Sequence, residues 1–107
     1  MPSIAKGAAL QTVITTFETN PGNCRDLIEA LTSAYDQFIA HQPGFIGAGL
    51  HVNDAQTRVA NYSQWDRRED FQAMLRSDEM VRRNKAITEM CRSFEPVMYD
   101  VSAVFDR

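Results

Sequence analysis

Long apolar runs, clustered cysteines and an excess of basic charge are all missing from this sequence. No stretch approaches the run of about 20 apolar residues that spans a bilayer, so no membrane partner is expected. Met1–Gln11 lacks the unbroken apolar core of a signal peptide, which makes a cytoplasmic setting the expectation. The two cysteines, Cys24 and Cys91, stand far apart without metal-type spacing. They read as buried free thiols in a reducing compartment, and no metal site is expected. Lys and Arg number 11 against 14 Asp and Glu, a net charge of −3. The densest basic stretch, Arg82, Arg83 and Lys85, follows Asp78 and Glu79. That mixture reads as a solvated helix face rather than a phosphate-binding stripe, so nucleic acid is not an expected partner. Phosphate-loop, dinucleotide, Ser-x-x-Lys and His-Glu-x-x-His motifs are absent as well.

What remains is ordinary globular composition: 107 residues, 44% hydrophobic and 23% charged. It predicts a single domain over residues 1–107. A chain this short buries only about 60–70% of its unfolded surface, so one copy has little room for a large internal site.

Leu10–Glu18, rich in Val, Ile, Thr and Phe, predicts a strand that Thr19–Asn23 stops with Pro and Gly. A helix is expected from about Cys24 to His41, with Leu27, Ile28, Leu31, Ala34, Tyr35 and Phe38 on its apolar stripe. Phe45–Val52 and Thr57–Trp65 read as strands joined by a turn at Asn53–Gln56. Asp66 and Glu69 suggest a capping box for a short helix to Arg76. Ser77 caps the next helix, which runs to about Arg92 and buries Met80, Ile87, Met90 and Cys91. Glu95-Pro96 ends it, and Val97–Phe105 reads as a last strand.

The order β-α-β-β-α-β predicts an α+β, ferredoxin-like antiparallel sheet with its helices on one face. The other face would be bare. The second strand's row of Ile46, Ala48, Leu50 and Val52 supplies that face or its opposite. Covering a bare apolar face with a second copy makes a homodimer, a shared α+β barrel, the expected assembly.

Strand alternation puts Val59, Asn61, Ser63 and Trp65 on one face. Asn is depleted in strands and a buried amide needs partners, so Asn61 marks a candidate site. Trp65 at the strand end fits core packing as well as a site. Phe45, Gly47, Gly49 and His51 form one row of the second strand, with the glycines leaving space beside it. Whether His51 shares Asn61's face depends on the hairpin register, which the sequence leaves open. Tyr35 and Phe38 belong to the helix core and can also line a cavity. Arg82 or Arg83 can balance an anionic substrate or face solvent.

Pro43-Gly44-Phe45, His51, Asn61-Tyr62-Ser63-Gln64-Trp65 and the following helix-Ser-Asp-helix pattern resemble the antibiotic biosynthesis monooxygenase family. The likeness runs from about residue 10 to 105. Within the family the pattern is most similar to the actinorhodin-type anthrone oxygenases. The resemblance implies oxidation of a small aromatic anthrone or hydroquinone by O2, without metal, flavin or haem, in a homodimer. It places the family's catalytic Asn, Trp and His on Asn61, Trp65 and His51. It also implies a substrate pocket reached by Phe71 and one of Arg82 and Arg83, beside the cavity that Tyr35 and Phe38 can line. A family Tyr thought to relay a proton falls on Phe71, which has no hydroxyl, leaving His51 or Tyr35 for that task. Haem-degrading relatives carry a ligating His where this chain has Asn84, a poor iron ligand. Two other readings share the scaffold: a small-metabolite isomerase with His51 as acid or base, and a non-catalytic ligand-binding dimer.

Overall fold

The computed structural model describes residues 10–107, so the reading of Met1–Ala9 lies outside the described residues. The elements are β1 (Gln11–Glu18), α1 (Pro21–Gln37), a 3₁₀ turn (Ile39–His41), β2 (Phe45–Val52), β3 (Arg58–Trp65), α2 (Arg68–Arg76), α3 (Asp78–Thr88) and β4 (Ser93–Tyr99). The sheet order is β2-β3-β1-β4, antiparallel throughout. This is the expected ferredoxin-like α+β fold. No described helix is long and apolar enough to cross a membrane.

Local chemistry explains where the boundaries depart from expectation. α1 starts at Pro21, three residues before the expected Cys24, because Asn20 caps it by accepting the Asn23 N–H at 2.9 Å. Proline suits the first helical turn, where its missing N–H is no loss. The helix buries Cys24, Leu27, Leu31 and Ala34, a three- and four-residue spacing. The helix ends at Gln37 rather than His41, and beyond the 3₁₀ turn Gly44 reverses the chain at φ +83°. A side chain there would also collide with Asp70, so both backbone angle and space require glycine.

Asp66 does not cap α2. Arg67 occupies that position without a side-chain hydrogen bond, and the Asp66 N–H is held by the Gly44 carbonyl at 2.7 Å. Ser77 does cap α3, accepting the Met80 N–H. That helix ends at Thr88, short of Arg92, and Met90 and Cys91 are half-buried beyond it. β4 begins at Ser93 rather than Val97 and ends at Tyr99 rather than Phe105. It contains Glu95 and Pro96, which an edge strand tolerates because one side of its ladder is unpaired.

The register decides what faces the helices. Val13, Thr15 and Phe17 pair with Ser63, Asn61 and Val59 and with Met98, Pro96 and Phe94. Two buried clusters fill this face. One gathers Val13, Ala34, Trp65, Phe71 and Met80; the other gathers Phe17, Leu27, Leu31, Val59 and Ile87. Ala48 and Leu50 pair with Ser63 and Asn61, so they also turn toward the helices. The opposite face instead carries Ile14, Ala60, Tyr62, Val97 and Tyr99, mixed with Thr16 and Glu95.

Candidate active site

A cavity of about 50 Å³ lies where the two clusters meet, between the sheet and the helices. β3 supplies Asn61 and Ser63, α1 supplies Leu31, Ala34 and Tyr35, and α2 and α3 supply Phe71, Met80 and Asn84. Asn61 sits in mid-strand, where its amide faces the cavity. Its Oδ1 accepts the Tyr35 hydroxyl at 2.8 Å. Its Nδ2 has no hydrogen-bond partner among the described residues, which leaves two donors for a bound molecule.

Burial pushes the Tyr35 phenol above its ordinary pKa, while hydrogen bonds with Asn61 and Ser63 pull it partly back. The phenol is therefore neutral at physiological pH and acts as a donor. None of the described residues lining the cavity carries a carboxylate, an imidazole or a cationic group. The polar groups there are hydroxyls and amides: Thr15, Tyr35, Asn61, Ser63 and Asn84.

Trp65 is fully buried beside this space rather than lining it. Its indole N–H reaches the Ser63 hydroxyl at 3.3 Å. Its ring meets Phe45 and Phe71 edge-on, with centroids 5.4 and 5.9 Å away. Such contacts fix a ring's orientation and add about 0.5–1.5 kcal/mol each beyond area burial. Trp65 thus holds Ser63 in place and braces the wall. Phe71 lines the cavity as an apolar surface, and Phe38 packs against the same cluster without reaching the cavity.

The structure separates the other candidates from Asn61. An even number of residues, 53–58, lies between the paired Val52 and Val59, so His51 opposes Ala60 and Leu50 opposes Asn61. His51 is exposed on the outer sheet face, with its ring folded over Gly49. A bulge between Phe45 and Gly47 divides the expected row, sending Phe45 inward while Gly47 and Gly49 stay outward. Arg82 and Arg83 both pair with Glu79, and Arg83 also reaches Gln37 Oε1 at 2.9 Å, stitching α3 to α1. Neither guanidinium lines the cavity.

Two cavity residues escaped the sequence reading as site residues. Asn84 lies on α3 between Met80 and Ile87, at helical spacing on the buried stripe. Thr15 interrupts the inward row of Val13 and Phe17 on β1. A polar residue on an otherwise apolar face was the available signal in both cases.

The antibiotic biosynthesis monooxygenase family profile matches residues 10–86. Tetracenomycin-F1 monooxygenase of Streptomyces glaucescens is 34% identical over 74 residues, covering 69% of this chain. The match spans 66% of that relative, just under two thirds of its length. Among solved structures, a variant of SnoaB, a cofactor-independent oxygenase from Streptomyces nogalater, superimposes with a TM-score of 0.80 at 16% identity. It covers 94% of this chain and 100% of that one. The ActVA-Orf6 monooxygenase of Streptomyces coelicolor, in complex with nanaomycin D, gives 0.76 at 20% identity over 92% and 91% of the two chains. At these identities the two structures speak for the fold alone.

Proposed function

This chain belongs to the antibiotic biosynthesis monooxygenase family, and we propose that it is a monooxygenase oxidising a small, electron-rich aromatic of the anthrone or hydroquinone type with O2 and no bound cofactor. The observation that carries the reading is the Tyr35–Asn61 pair in a cavity lined by neutral donors. The names of the relatives, a tetracenomycin-F1 monooxygenase and a cofactor-independent oxygenase, agree with it.

The lining selects the chemistry. Without a carboxylate or imidazole, the cavity offers no strong base, so the substrate must be acidic enough to ionise by itself. An anthrone meets that condition, because its enolate is an aromatic phenolate. The free Nδ2 donors of Asn61 would hold the enolate oxygen, as fixed donors do in an oxyanion hole. The electron-rich enolate passes one electron to O2, and the resulting radical pair combines into a carbon-bound peroxide. The peroxide O–O bond breaks as the ring carbon loses its remaining hydrogen as a proton, giving a quinone carbonyl and water. The net change is anthrone plus O2 to quinone plus water. Neutral Tyr35 would supply the proton to the departing oxygen, a task Phe71 cannot perform. The isomerase reading gives the acid or base role to His51, which lies on the opposite face of the sheet.

A homodimer completes the proposal. The outer sheet face carries Ile14, Ala60, Tyr62, Val97 and Tyr99, and Tyr99 is 47% exposed. A second copy placed sheet to sheet would cover that apolar area.

The direct test is oxygen uptake by protein freed of metal and flavin, using an unsubstituted anthrone. Equal consumption of O2 and anthrone, lost in Asn61→Ala, is the expected result. Protein inert towards a panel of anthrones and hydroquinones would reject the reading.

A further inference from the structure

The cavity at Asn61 is too small for the molecule it is asked to oxidise. At about 50 Å³ it holds the reacting edge of a ring, whereas a benzene-sized ligand occupies a cavity of about 150 Å³. A second hollow, about 290 Å³, opens on the surface between α1 and β2. Its floor is Ala48 and Leu50, and Thr32, Asp36 and Ala40 form its rim.

The two spaces are neighbours across one step of the sheet. Leu50 lines the groove and pairs with Asn61, which lines the cavity. Ala48 lines the groove and pairs with Ser63, which lines the cavity. Directly paired side chains lie about 5 Å apart. Tyr35 lines both spaces, with its ring against Phe45 at a centroid distance of 5.8 Å and its hydroxyl on Asn61. It is the partition between them.

The geometry points to a binding site for the unreacting rings of the substrate in the α1–β2 groove, joined to the cavity when Tyr35 swings aside. This rests on the monooxygenase reading above and adds the substrate's size, charge and orientation. Together the two spaces reach the lower end of ordinary ligand pockets, about 300 Å³. That suits a planar molecule of about three fused rings, with one edge at Asn61 and the remainder over Ala48 and Leu50. Asp36 adds a negative charge at the rim, and among the described residues it forms no ion pair. A carboxylate on the distal ring would meet like charge, while a neutral, hydroxylated ring would find acceptors. The preferred substrate is therefore an uncharged, hydroxylated polycycle. The substrate oxygen would take the Nδ2 donors of Asn61 while the Tyr35 hydroxyl keeps to Oδ1, so it is the Tyr35 ring that turns to open the partition.

Trp65 is the sole tryptophan and is fully buried behind Ser63, which makes its fluorescence a built-in probe. Quenching by acrylamide is expected to rise in Tyr35→Ala and to return towards the wild-type value when Ala40→Phe or Ala48→Phe is added to fill the groove. Ala40 is exposed, so its variant keeps the test available if the Ala48 variant does not fold. Unchanged quenching in Tyr35→Ala, or quenching indifferent to both groove substitutions, would overturn the partition. For the ligand arm, a dihydroxyanthraquinone serves as an unreactive probe, read by quenching of the same tryptophan. Its affinity should fall about tenfold or more in Ala40→Phe. The ring-carboxylated analogue should bind more weakly than the uncharged probe, and Asp36→Asn should narrow that gap. Binding that is unaffected by the groove substitutions would sink the subsite while leaving the monooxygenase reading intact. Oxygen uptake from anthrone that fails altogether, with groove-dependent binding retained, would sink the monooxygenase reading instead.

Discussion

The Tyr35 hydroxyl donates a 2.8 Å hydrogen bond to the side-chain oxygen of Asn61, tying α1 to the middle of β3 beside the cavity. Each partner limits the other. Tyr35 occupies the acceptor of Asn61 and leaves the amide's donors open, while Asn61 and Ser63 together pair the Tyr35 phenol.

The two halves of that contact should differ in stability. Tyr35→Phe removes the donor and leaves an amide oxygen beside the cavity, with an expected loss of about 0.5–1.5 kcal/mol. Asn61→Leu instead takes away the main acceptor of the Tyr35 hydroxyl, leaves it Ser63 alone and puts an apolar group among the cavity's polar ones, with an expected loss of about 1–3 kcal/mol. Urea denaturation of both variants checks the order. Equal stability of Asn61→Leu and wild type would show that the contact contributes nothing.

Alkaline titration should locate Tyr35 above the ordinary phenol value of about 10. Its folded pKa is raised, so its contribution to stability is fully present below the unfolded pKa and is lost as pH rises through the folded one. Phenolate absorbance, taken as wild type minus Tyr35→Phe, isolates the group. The same substitution should flatten the alkaline decline in stability above about pH 10. A difference curve centred at or below the ordinary value would contradict the buried placement.

Gly44→Ala should destabilise the fold by about 1–3 kcal/mol through its positive φ alone. The added methyl would also strike Asp70, which is paired with Arg67. Combining it with Asp70→Ala relieves the collision and leaves the backbone cost, so thermal melts should show partial rescue.

A charge on the outer sheet face should separate the proposed dimer. Val97→Arg places a cation among Ile14, Tyr62 and Tyr99, away from the cavity. Sedimentation or gel filtration should show a dimer for wild type and a smaller species for the variant. A wild-type monomer at micromolar concentration would remove the barrel from the account.

Much of the fold was legible because local signals carried it. The bounds of β2 and the Ser77 cap follow from hydrophobic run, turn residues and a hydroxyl at a helix start. Side-chain alternation placed Asn61, Ser63 and Trp65 on one face, and all three are turned towards the helices. What escaped was set between elements. Period-two alternation cannot show the bulge that parts Phe45 from Gly47, nor the register that sends His51 outward. Pro96 reads as a stop signal until the sheet order makes β4 an edge. Asn84 reads only as a poor stand-in for a haem-ligating His until Met80 and Ile87 are seen to flank it on the buried stripe.

The central claim is that Asn61 and Tyr35 act together on an oxygen-dependent oxidation. It is tested most directly by kcat/KM for anthrone oxidation in metal- and flavin-free wild type, Asn61→Ala, Tyr35→Phe and the double variant. The account predicts a loss of about 10²-fold or more for Asn61→Ala. It also predicts a double variant little slower than the worse single one, as for residues that work as a unit. Wild-type turnover by Asn61→Ala, or single losses that multiply in the double variant, would contradict it.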